Sequence, residues 1–486
     1  MEQSIWEIPK KSYPTLESNI TSEVVVVGGG IAGFLTAYEL TERGHKVVLL
    51  EANRILEGVT KNTTAFITGM QGIIYQNIKK SYGLTMAKDY FSLHQKAIGE
   101  YEKLVNKYDI KCEFTKLPAY LFTRKSSKLL LKEYDTLKQM GVDVSFFNKL
   151  ENISIHTNGV IKIENQAMFH PLKFLMGLPK NFTIYENSRV IHINLKENKV
   201  TTKTGSVSGK FLVFATHFPI FTCPKLFPFK MYQSKSYALG YKNSTNLNGL
   251  YIEDKSDGLT LRNYKSHIIV GGGDHNTNVI KKHSPYEKLN KEANTILKQN
   301  TISYSWQTQD CMTMDQIPYI GKLNDEYKNV YIATGFNKWG MAKGLMGAKL
   351  ISDLIEGKNN SFETLCSTNR NALLKNKKNA LTHSVNSVFN LLKSFLKVPL
   401  KNYKKLNIDE GGIFLVKGKK CGVYKDEKGE FHFVEARCSH LKCELKFDKY
   451  TKTFICPCHG SWYDIDGNIL CEPATKPIGI TKKINN

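Results

Sequence analysis

The pattern of apolar and polar residues near the start of the chain predicts a strand, a helix and a second strand. Residues 23–27 form a β-branched run, which is typical of a strand buried on both faces. Residues 31–43 are apolar at the spacing of a helix that packs on a sheet, and Gly44 ends it. Residues 46–50 form the second apolar run. The pattern therefore predicts a β–α–β unit.

Glycines join the first strand to the helix in the motif Gly28-Gly29-Gly30-Ile31-Ala32-Gly33. Gly28 permits the tight turn, Gly30 lets the main chain approach a pyrophosphate, and Gly33 lets the helix pack closely. The helix N-terminus offers free N–H groups to phosphates. Glu51 ends the second strand, where its carboxylate can accept the hydroxyls of a ribose. The order predicts a dinucleotide site, and a glycine-rich turn of another α/β protein is the alternative.

Cysteines are concentrated at the other end of the chain, where six of the ten lie beyond residue 420. Without a secretion signal, this concentration favours a metal site over a disulfide framework. Two boxes, Cys438-Ser439-His440 and Cys456-Pro457-Cys458-His459, form the pattern C-x-H … C-x-x-H, whose two cysteines and two histidines can bind metal. A Rieske [2Fe–2S] centre uses such a set, with thiolates on one iron and neutral imidazoles on the other. A tetrahedral zinc site is the alternative.

Residues 21–360 resemble the D-amino-acid oxidase/glycine oxidase-like family of FAD-dependent oxidoreductases, in the subgroup with an appended Rieske domain. The resemblance rests on residues 51–55 with Gly58, Thr63, Thr64 and Ala65, and on residues 184–190, 211–217, 315–321 and 331–341. It implies FAD as the cofactor, which the N-terminal position of the motif and the lack of a second glycine fingerprint also favour over NAD.

The resemblance also implies which residues contact FAD. They are Gly28, Gly30, Gly33, Glu51, Ala52, Arg54, Thr63, Thr64, Ala65, Val190, Gly335, Gly340 and Met341. After Thr63-Thr64-Ala65 the chain departs from the subgroup, which has a lysine near Phe66 and Gln-His near Met70. No flavin-attaching side chain can be transferred from the family here, so we expect FAD to be bound non-covalently.

The cysteine boxes and their flanks, residues 429–436 and 472–474, resemble Rieske domains. The resemblance implies four cluster ligands: Cys438, His440, Cys456 and His459. It also implies that Cys443 and Cys458 form a disulfide between the two ligand loops. Ser461 and Tyr463 stand where respiratory-type Rieske proteins have hydroxyls that donate to a bridging sulfide and a ligand thiolate. Such hydrogen bonds raise the reduction potential of the cluster.

These observations predict an α/β fold in which a FAD-binding Rossmann-like domain carries an inserted α+β substrate domain, followed by an all-β Rieske domain. The expected FAD-binding parts are about 21–80, 150–220 and 310–360, and the substrate domain is about 81–149 and 221–309. A basic linker follows at 361–406, with an amphipathic helix over 384–397 that we expect to dock on its own protein. Attachment to a membrane surface is the alternative. The Rieske domain is expected at 407–486.

Composition changes this picture little. The chain has 41 % hydrophobic residues and a net charge of +24, without a zinc-finger, RNP or helix-turn-helix pattern, so no nucleic-acid partner is expected. No run is long and apolar enough to cross a membrane, and the N-terminus does not resemble a signal peptide. We therefore expect a cytoplasmic protein.

The two cofactors indicate electron transfer, because flavin accepts a hydride whereas a [2Fe–2S] centre carries one electron. Family resemblance implies oxidation of a small amine or amino acid, with an external electron acceptor, a protein or a quinone. Arg262 and Tyr319 are the candidate substrate contacts, with a structural salt bridge or core aromatic as the alternative. The alternative functions are a non-catalytic electron carrier or redox sensor, or reversed flow in which a partner reduces the cluster.

Overall fold

The computed structural model describes residues 3–9, 11–151, 153–221, 225, 227–243, 245–281, 283–297, 301–370, 372 and 402–479. The chain forms two compact units. The first consists of Met1–His217, Lys235–His275 and Pro285–Lys375, and the second of Phe218–Ser234, Asn276–Ser284 and Asn376–Asn486. The amphipathic helix expected over 384–397 lies outside the described residues.

The helices are α1 Ile31–Glu42, α2 Tyr75–Tyr82, α3 Leu84–Lys107, α4 Lys128–Gln139, α5 Pro171–Gly177, α6 Phe227–Lys230, α7 Pro285–Leu297, α8 Gly340–Ile355 and α9 Glu363–Cys366. The first strands are β1 Asn19–Val27, β2 Val47–Leu50, β3 Phe66–Ile67, β4 Thr115–Phe122, β5 Ser145–Phe147, β6 Val160–Met168, β7 Thr183–Tyr185, β8 His192–Asn194, β9 Lys199–Thr201, β10 Ser206–Phe214, β11 Met231–Lys242 and β12 Leu250–Glu253. The later strands are β13 Thr260–Tyr264, β14 His267–Asn276, β15 Thr301–Thr313, β16 Tyr319–Lys322, β17 Val330–Thr334, β18 Gly411–Val416, β19 Lys419–Lys425, β20 Phe431–Glu435, β21 Lys446–Asp448, β22 Thr453–Ile455, β23 Trp462–Tyr463 and β24 Ile469–Cys471.

An eight-stranded sheet in the first unit contains the predicted β–α–β segment. Its main path runs β16-β17-β10-β1-β2-β7, and β8 and β9 form a hairpin at the side of β10. β1 pairs in parallel with both β10 and β2, and it is buried over Val24–Val27 as its β-branched run predicted. α1 packs against α8. This is the predicted Rossmann-like layer.

A nine-stranded sheet follows the order β15-β11-β14-β13-β12-β4-β6-β3, with β5 beside β6. β6 pairs with β4 and therefore belongs to this second sheet, although its residues fall inside the segment 150–220 expected to bind FAD. β3 pairs with β6 in the same way. The apolar pattern of a strand does not reveal which sheet it joins, because the pairing partner is remote in sequence.

The second unit contains two small antiparallel sheets, β18-β19-β20 and β21-β22-β23-β24. Lys417 and Gly418 join β18 to β19, and both have positive φ, as a type I′ hairpin turn requires. The cysteines of the two boxes lie in the apolar core of this unit, together with Val434, Phe454 and Tyr463. The predicted all-β domain is confirmed.

The second unit also contains residues 218–234 and 276–284. Of these, 218–220 are expected in the FAD-binding part and the rest in the substrate domain. Gln233 shows how the first segment joins the unit, because its Nε2 donates to the main-chain oxygens of His459 at 2.8 Å and Glu472 at 3.1 Å. Lys446 Nζ donates to Asn278 O of the other segment at 3.0 Å. These segments complete the unit around the second cysteine box.

Within the described residues, no helix is both long enough and apolar enough to span a bilayer.

Gly33 offers a test of the packing between α1 and β1. A Cβ built on Gly33 would lie 1.8 Å from Gly28 O, so Gly33→Ala must push the helix away from the strand. We expect the free energy of unfolding to fall by roughly 1–3 kcal/mol and the flavin content to drop, measured by thermal unfolding and absorbance.

Gly99→Ala is the matched control, because Gly99 lies in α3 with no atom near its hypothetical Cβ. Alanine there should stabilise the helix by about 0.5–1 kcal/mol. Equal effects of the two substitutions would contradict the packing argument.

Candidate functional site

The predicted flavin residues converge at one edge of the eight-stranded sheet. Gly28, Glu51 and Gly335 directly follow β1, β2 and β17. These strands belong to one parallel array, since β10 pairs in parallel with both β1 and β17. Their carboxyl ends therefore face the same way, at the place where open α/β sheets bind ligands.

The glycine loop leaves room for a phosphate at the start of α1. Gly28 has a φ of +107°, and a Cβ there would lie 2.5 Å from Ala215 O. Gly30 is the N-cap of α1 and has no side chain, and a Cβ there would meet only Thr60 Oγ1, at 3.5 Å. Thr60 Oγ1 accepts the Ile31 N–H at 2.9 Å. The open face at Gly30, at the start of the helix, fits the pyrophosphate of FAD.

Glu51 is held against the glycine loop by the main chain. Its Oε2 accepts the Gly29 N–H at 2.7 Å and its Oε1 accepts the Asn53 N–H at 2.8 Å. The side chain is half-buried. This geometry allows the ribose contact that the sequence predicts. Ala52 is half-buried, whereas Val190 is buried.

Arg54, another predicted flavin contact, lies near Glu186. Its side chain is 43 % exposed, and its Nε lies 3.6 Å from Glu186 Oε2. Sequence reasoning missed Glu186, which is buried directly after β7 and accepts the N–H groups of Ile55 at 2.9 Å and Tyr13 at 3.1 Å. It fixes the loop that follows Glu51. An acidic residue at the end of a short apolar run was the available signal.

The segment Thr63-Thr64-Ala65 is fixed by two side chains that are distant in sequence. Trp6 Nε1 donates to Thr63 O at 2.6 Å, and the Arg262 guanidinium donates to Thr64 O at 2.9 Å and Ala65 O at 2.7 Å. Ala65 has a φ of +57°, which is costly for a residue with a Cβ. The two anchors hold the main chain in this conformation.

Arg262 and Tyr319, the candidate substrate contacts, are both buried among other residues of the protein. Arg262 is 1 % exposed, stacks on Trp6 at 5.3 Å and also donates to Asn263 O at 3.1 Å. Burial lowers its pKa to about 9. Tyr319 is fully buried under the guanidinium of Arg370, 4.7 Å from its ring. Tyr319 fits its alternative as a core aromatic, whereas Arg262 is structural through main-chain carbonyl groups and not through the expected salt bridge.

Residues 335–341, which we call the closing segment, lie beside the Thr63–Ala65 segment. The rings of Phe66 and Trp339 are 6.4 Å apart. Asn337 has a φ of +51°, and its Oδ1 accepts the Thr313 N–H at 2.7 Å while its Nδ2 donates to Gly335 O at 2.6 Å. Gly340 and Met341 begin α8. Two predicted flavin segments are thus brought together by residues far apart in sequence.

The second unit brings the two cysteine boxes together. Cys438 and Cys456 are buried, and the rings of His440 and His459 are 5.2 Å apart. His459 is 4 % exposed, and neither of its ring nitrogens has a hydrogen-bond partner of normal geometry in the described part of the chain. Burial lowers the pKa of His440 and His459 to about 4 and about 3. Buried, neutral imidazoles close to paired thiols fit the ligand set of a [2Fe–2S] cluster.

The hydroxyl groups predicted to tune the cluster lie next to the ligand loops. Tyr463 Oη is 3.2 Å from Cys438 Sγ. Ser461 is fully buried, and its Oγ accepts the Ala474 N–H at 3.1 Å. Hydrogen bonding from Cys456, and then from these two hydroxyls, lowers the pKa of the Cys438 thiol, as a metal-binding thiolate requires.

The predicted disulfide between Cys443 and Cys458 is present. The sulfur atoms of Cys443, Cys456 and Cys458 lie within 4.8 Å of one another. A sulfur atom in a disulfide is not a thiolate, so only Cys456 of these three remains a metal ligand. The disulfide joins the two loops that carry the ligands.

Comparison with known proteins supports the domain families predicted for both parts of the chain. Residues 23–354 match the FAD dependent oxidoreductase family, and residues 398–483 match the Rieske [2Fe-2S] domain. A Bacillus subtilis protein that carries the name Rieske 2Fe-2S iron-sulfur protein YhfW is 32 % identical over 96 % of this chain and 94 % of its own length. The gamma-glutamylputrescine oxidoreductase of Escherichia coli is 24 % identical over 72 % of this chain and 87 % of its own.

Among solved structures, the glycine oxidase of Geobacillus kaustophilus superposes with a TM-score of 0.62 at 16 % identity, covering 72 % of this chain and 99 % of its own. That similarity confirms the predicted fold of the first unit. FAD and a [2Fe–2S] cluster, the predicted cofactors, are those of the two matched domains. The chain belongs to the FAD-dependent oxidoreductase family and carries a C-terminal Rieske domain.

Proposed function

We propose that this protein oxidises a small amine or amino acid at its C–N bond and passes the electrons singly through the Rieske cluster to an external acceptor. The observation that carries the proposal is the presence of both domains in one chain, at residues 23–354 and 398–483. FAD accepts two electrons as a hydride, whereas a [2Fe–2S] centre carries one. A chain with both suits a donor of electron pairs and an acceptor of single electrons, such as a redox protein or a quinone.

The reaction balances without another cofactor. The donor carbon loses a hydride and its nitrogen loses a proton, which gives an imine that water hydrolyses. The hydride carries two electrons, which leave in two single-electron transfers to the acceptor, and its proton is released to solvent. The protein's part in the first step is orientation of the C–H bond, because a neutral amine needs little further activation.

The names of two similar proteins support this class of donor. The Escherichia coli relative is named for an amine, gamma-glutamylputrescine, and the Geobacillus kaustophilus protein is named for an amino acid, glycine. Both donors carry a C–N bond next to a C–H bond.

The first prediction concerns the donor. Anaerobic holoenzyme mixed with a panel of amines and amino acids should lose its flavin absorbance with at least one compound, followed by the EPR signal of a reduced Rieske cluster. Failure of every compound to bleach the flavin, together with ready reduction by a carrier protein, would instead favour an electron carrier or reversed flow.

The second prediction separates the two electron-transfer steps. Cys456→Ser removes a cluster ligand, so the donor should still reduce the flavin while electron transfer to a one-electron acceptor is lost. Cys471→Ser is the control, because Cys471 is a half-buried cysteine of the same unit outside the ligand set and the disulfide. Undiminished transfer to the acceptor in Cys456→Ser would contradict the relay.

The third prediction concerns the cluster potential. Tyr463→Phe removes the hydroxyl 3.2 Å from Cys438 Sγ. That hydroxyl stabilises the more negative, reduced cluster, so the midpoint potential should fall by on the order of tens of millivolts in an EPR-monitored titration. Tyr424→Phe removes a hydroxyl that donates to Asp409 in the same unit and should leave the potential unchanged. Equal potentials in both variants would exclude the tuning role of Tyr463.

A further inference from the structure

Four polar side chains of the first unit form a cluster that neither the predicted flavin contacts nor the cysteine boxes include. We call Ser236, Asp274, Asp310 and Lys338 the Asp310 cluster. Ser236, Asp274 and Asp310 lie on β11, β14 and β15, which are neighbours in the nine-stranded sheet in the order β15-β11-β14. Lys338 belongs to the closing segment 335–341.

The cluster adjoins the segments that are predicted to contact the flavin. Lys338 directly precedes Trp339, whose ring lies 6.4 Å from that of Phe66. A Cβ built on Gly271 of β14, three residues before Asp274, would lie 3.1 Å from Thr64 Cγ2. Strand β14 therefore meets the Thr63–Ala65 segment at Gly271 and the closing segment at Asp274, whose carboxylate pairs with Lys338.

Asp310 is poorly satisfied for a buried carboxylate. It is 7 % exposed, and its Oδ2 meets only the Ser236 hydroxyl, at the long distance of 3.4 Å. Among the described residues no other group donates to the Asp310 side chain, so its Oδ1 accepts no hydrogen bond from them. An ionised carboxylate in a largely buried side chain is costly without donors, and a ligand that supplies one would offset that cost.

The charges of the cluster favour a cation. Lys338 Nζ lies 2.5 Å from Asp274 Oδ2, and the two side chains are similarly exposed, at 23 % and 22 %. This pair neutralises one carboxylate and leaves the charge of Asp310 uncompensated. A positively charged hydrogen-bond donor would neutralise the charge of Asp310 and donate to its Oδ1.

We propose that Asp310, assisted by Ser236, binds the ammonium group of the donor substrate, and that the substrate class is an amine without a neighbouring carboxylate. This inference rests on the proposed function and makes it more specific. A carboxylate beside the ammonium group would need a cation of its own. Within the cluster Lys338 is already paired with Asp274, and Arg262 donates to main-chain oxygens.

The pH dependence of cation binding follows from the surroundings of Asp310. Burial raises the pKa of this carboxyl to about 6, while Lys338 lowers it, Asp274 raises it and the Ser236 hydroxyl lowers it. Below this pKa the carboxyl is protonated and neutral. The affinity for the cation should therefore be highest well above about pH 6 and should fall as the pH falls through that value.

The test uses holoenzyme and tert-butylammonium, an amine without a hydrogen on the carbon that carries nitrogen, so the flavin cannot oxidise it. Affinity is measured by calorimetry between about pH 5 and pH 8, a range over which the probe stays protonated. Asp310→Asn keeps the shape of the side chain but removes its charge. Asp135→Asn, at an exposed position of α4, is the matched control. tert-Butanol is the neutral probe of the same shape.

We expect tert-butylammonium to bind the wild-type protein and Asp135→Asn equally, and Asp310→Asn at least about tenfold more weakly. Wild-type binding should weaken with a midpoint near the pKa of Asp310, and this measurement needs no variant. Equal affinity in Asp310→Asn, equal binding of tert-butanol, or no binding to the wild-type protein would overturn the inference.

The same preparations distinguish this inference from the proposed function. If the donor panel reduces the wild-type flavin but Asp310→Asn binds the cation normally, the ammonium site is wrong and the proposed function stands. If no compound reduces the flavin yet cation binding depends on Asp310, the proposed oxidation is wrong and the cation site stands.

Discussion

The close approach of α1 to β1 determines the geometry of the flavin half of the molecule. A Cβ on Gly33 would overlap Gly28 O, and a Cβ on Gly28 would overlap Ala215 O, so main chain packs on main chain at the end of the strand. Because interiors are close-packed, a displaced helix would carry its N-terminus away from the loop. The first turn of α1, Glu51 after β2 and Gly335 after β17 can meet at one sheet edge only with the helix in this position.

The parts of the site that the sequence predicted are those whose geometry is local. Gly28, Glu51 and the cysteine boxes lie within a few residues of the strand or turn that positions them, so their spacing carries the geometry. The role of Arg262 could not be predicted in this way. Its partners are the carbonyl groups of Thr64 and Ala65, almost 200 residues earlier, and a main-chain carbonyl leaves no mark in the sequence. Strand β6 is similar, because only its pairing with β4 reveals its sheet.

The boundary of the Rieske unit could not be predicted for the same reason, because some of its residues lie far from the rest in sequence. Sequence similarity places this domain at the end of the chain, but the compact unit includes residues 218–234 and 276–284. Gln233 is 1 % exposed and donates to His459 O within the second cysteine box, while Phe218 lies 6.4 Å from the His459 ring. Segments from the middle of the chain therefore support a predicted cluster ligand. A fragment that begins at 407 would leave the His459 and Glu472 carbonyl groups without their donor, which is costly in a buried setting.

The buried charges of the first unit show why Asp310 stands apart from structural carboxylates. Asp315 accepts two hydrogen bonds from Arg370, at 2.6 and 3.2 Å. Glu133 accepts the main-chain N–H groups of Ile74, Tyr75 and Gln76 within 2.9 Å and so caps the start of α2. Each of these acids has the donors that offset its removal from water. Asp310 is similarly buried but has a single long contact to a hydroxyl. A carboxylate in that state contributes little to the stability of the fold. A cation that binds there meets an opposite charge and an oxygen that can still accept a hydrogen bond.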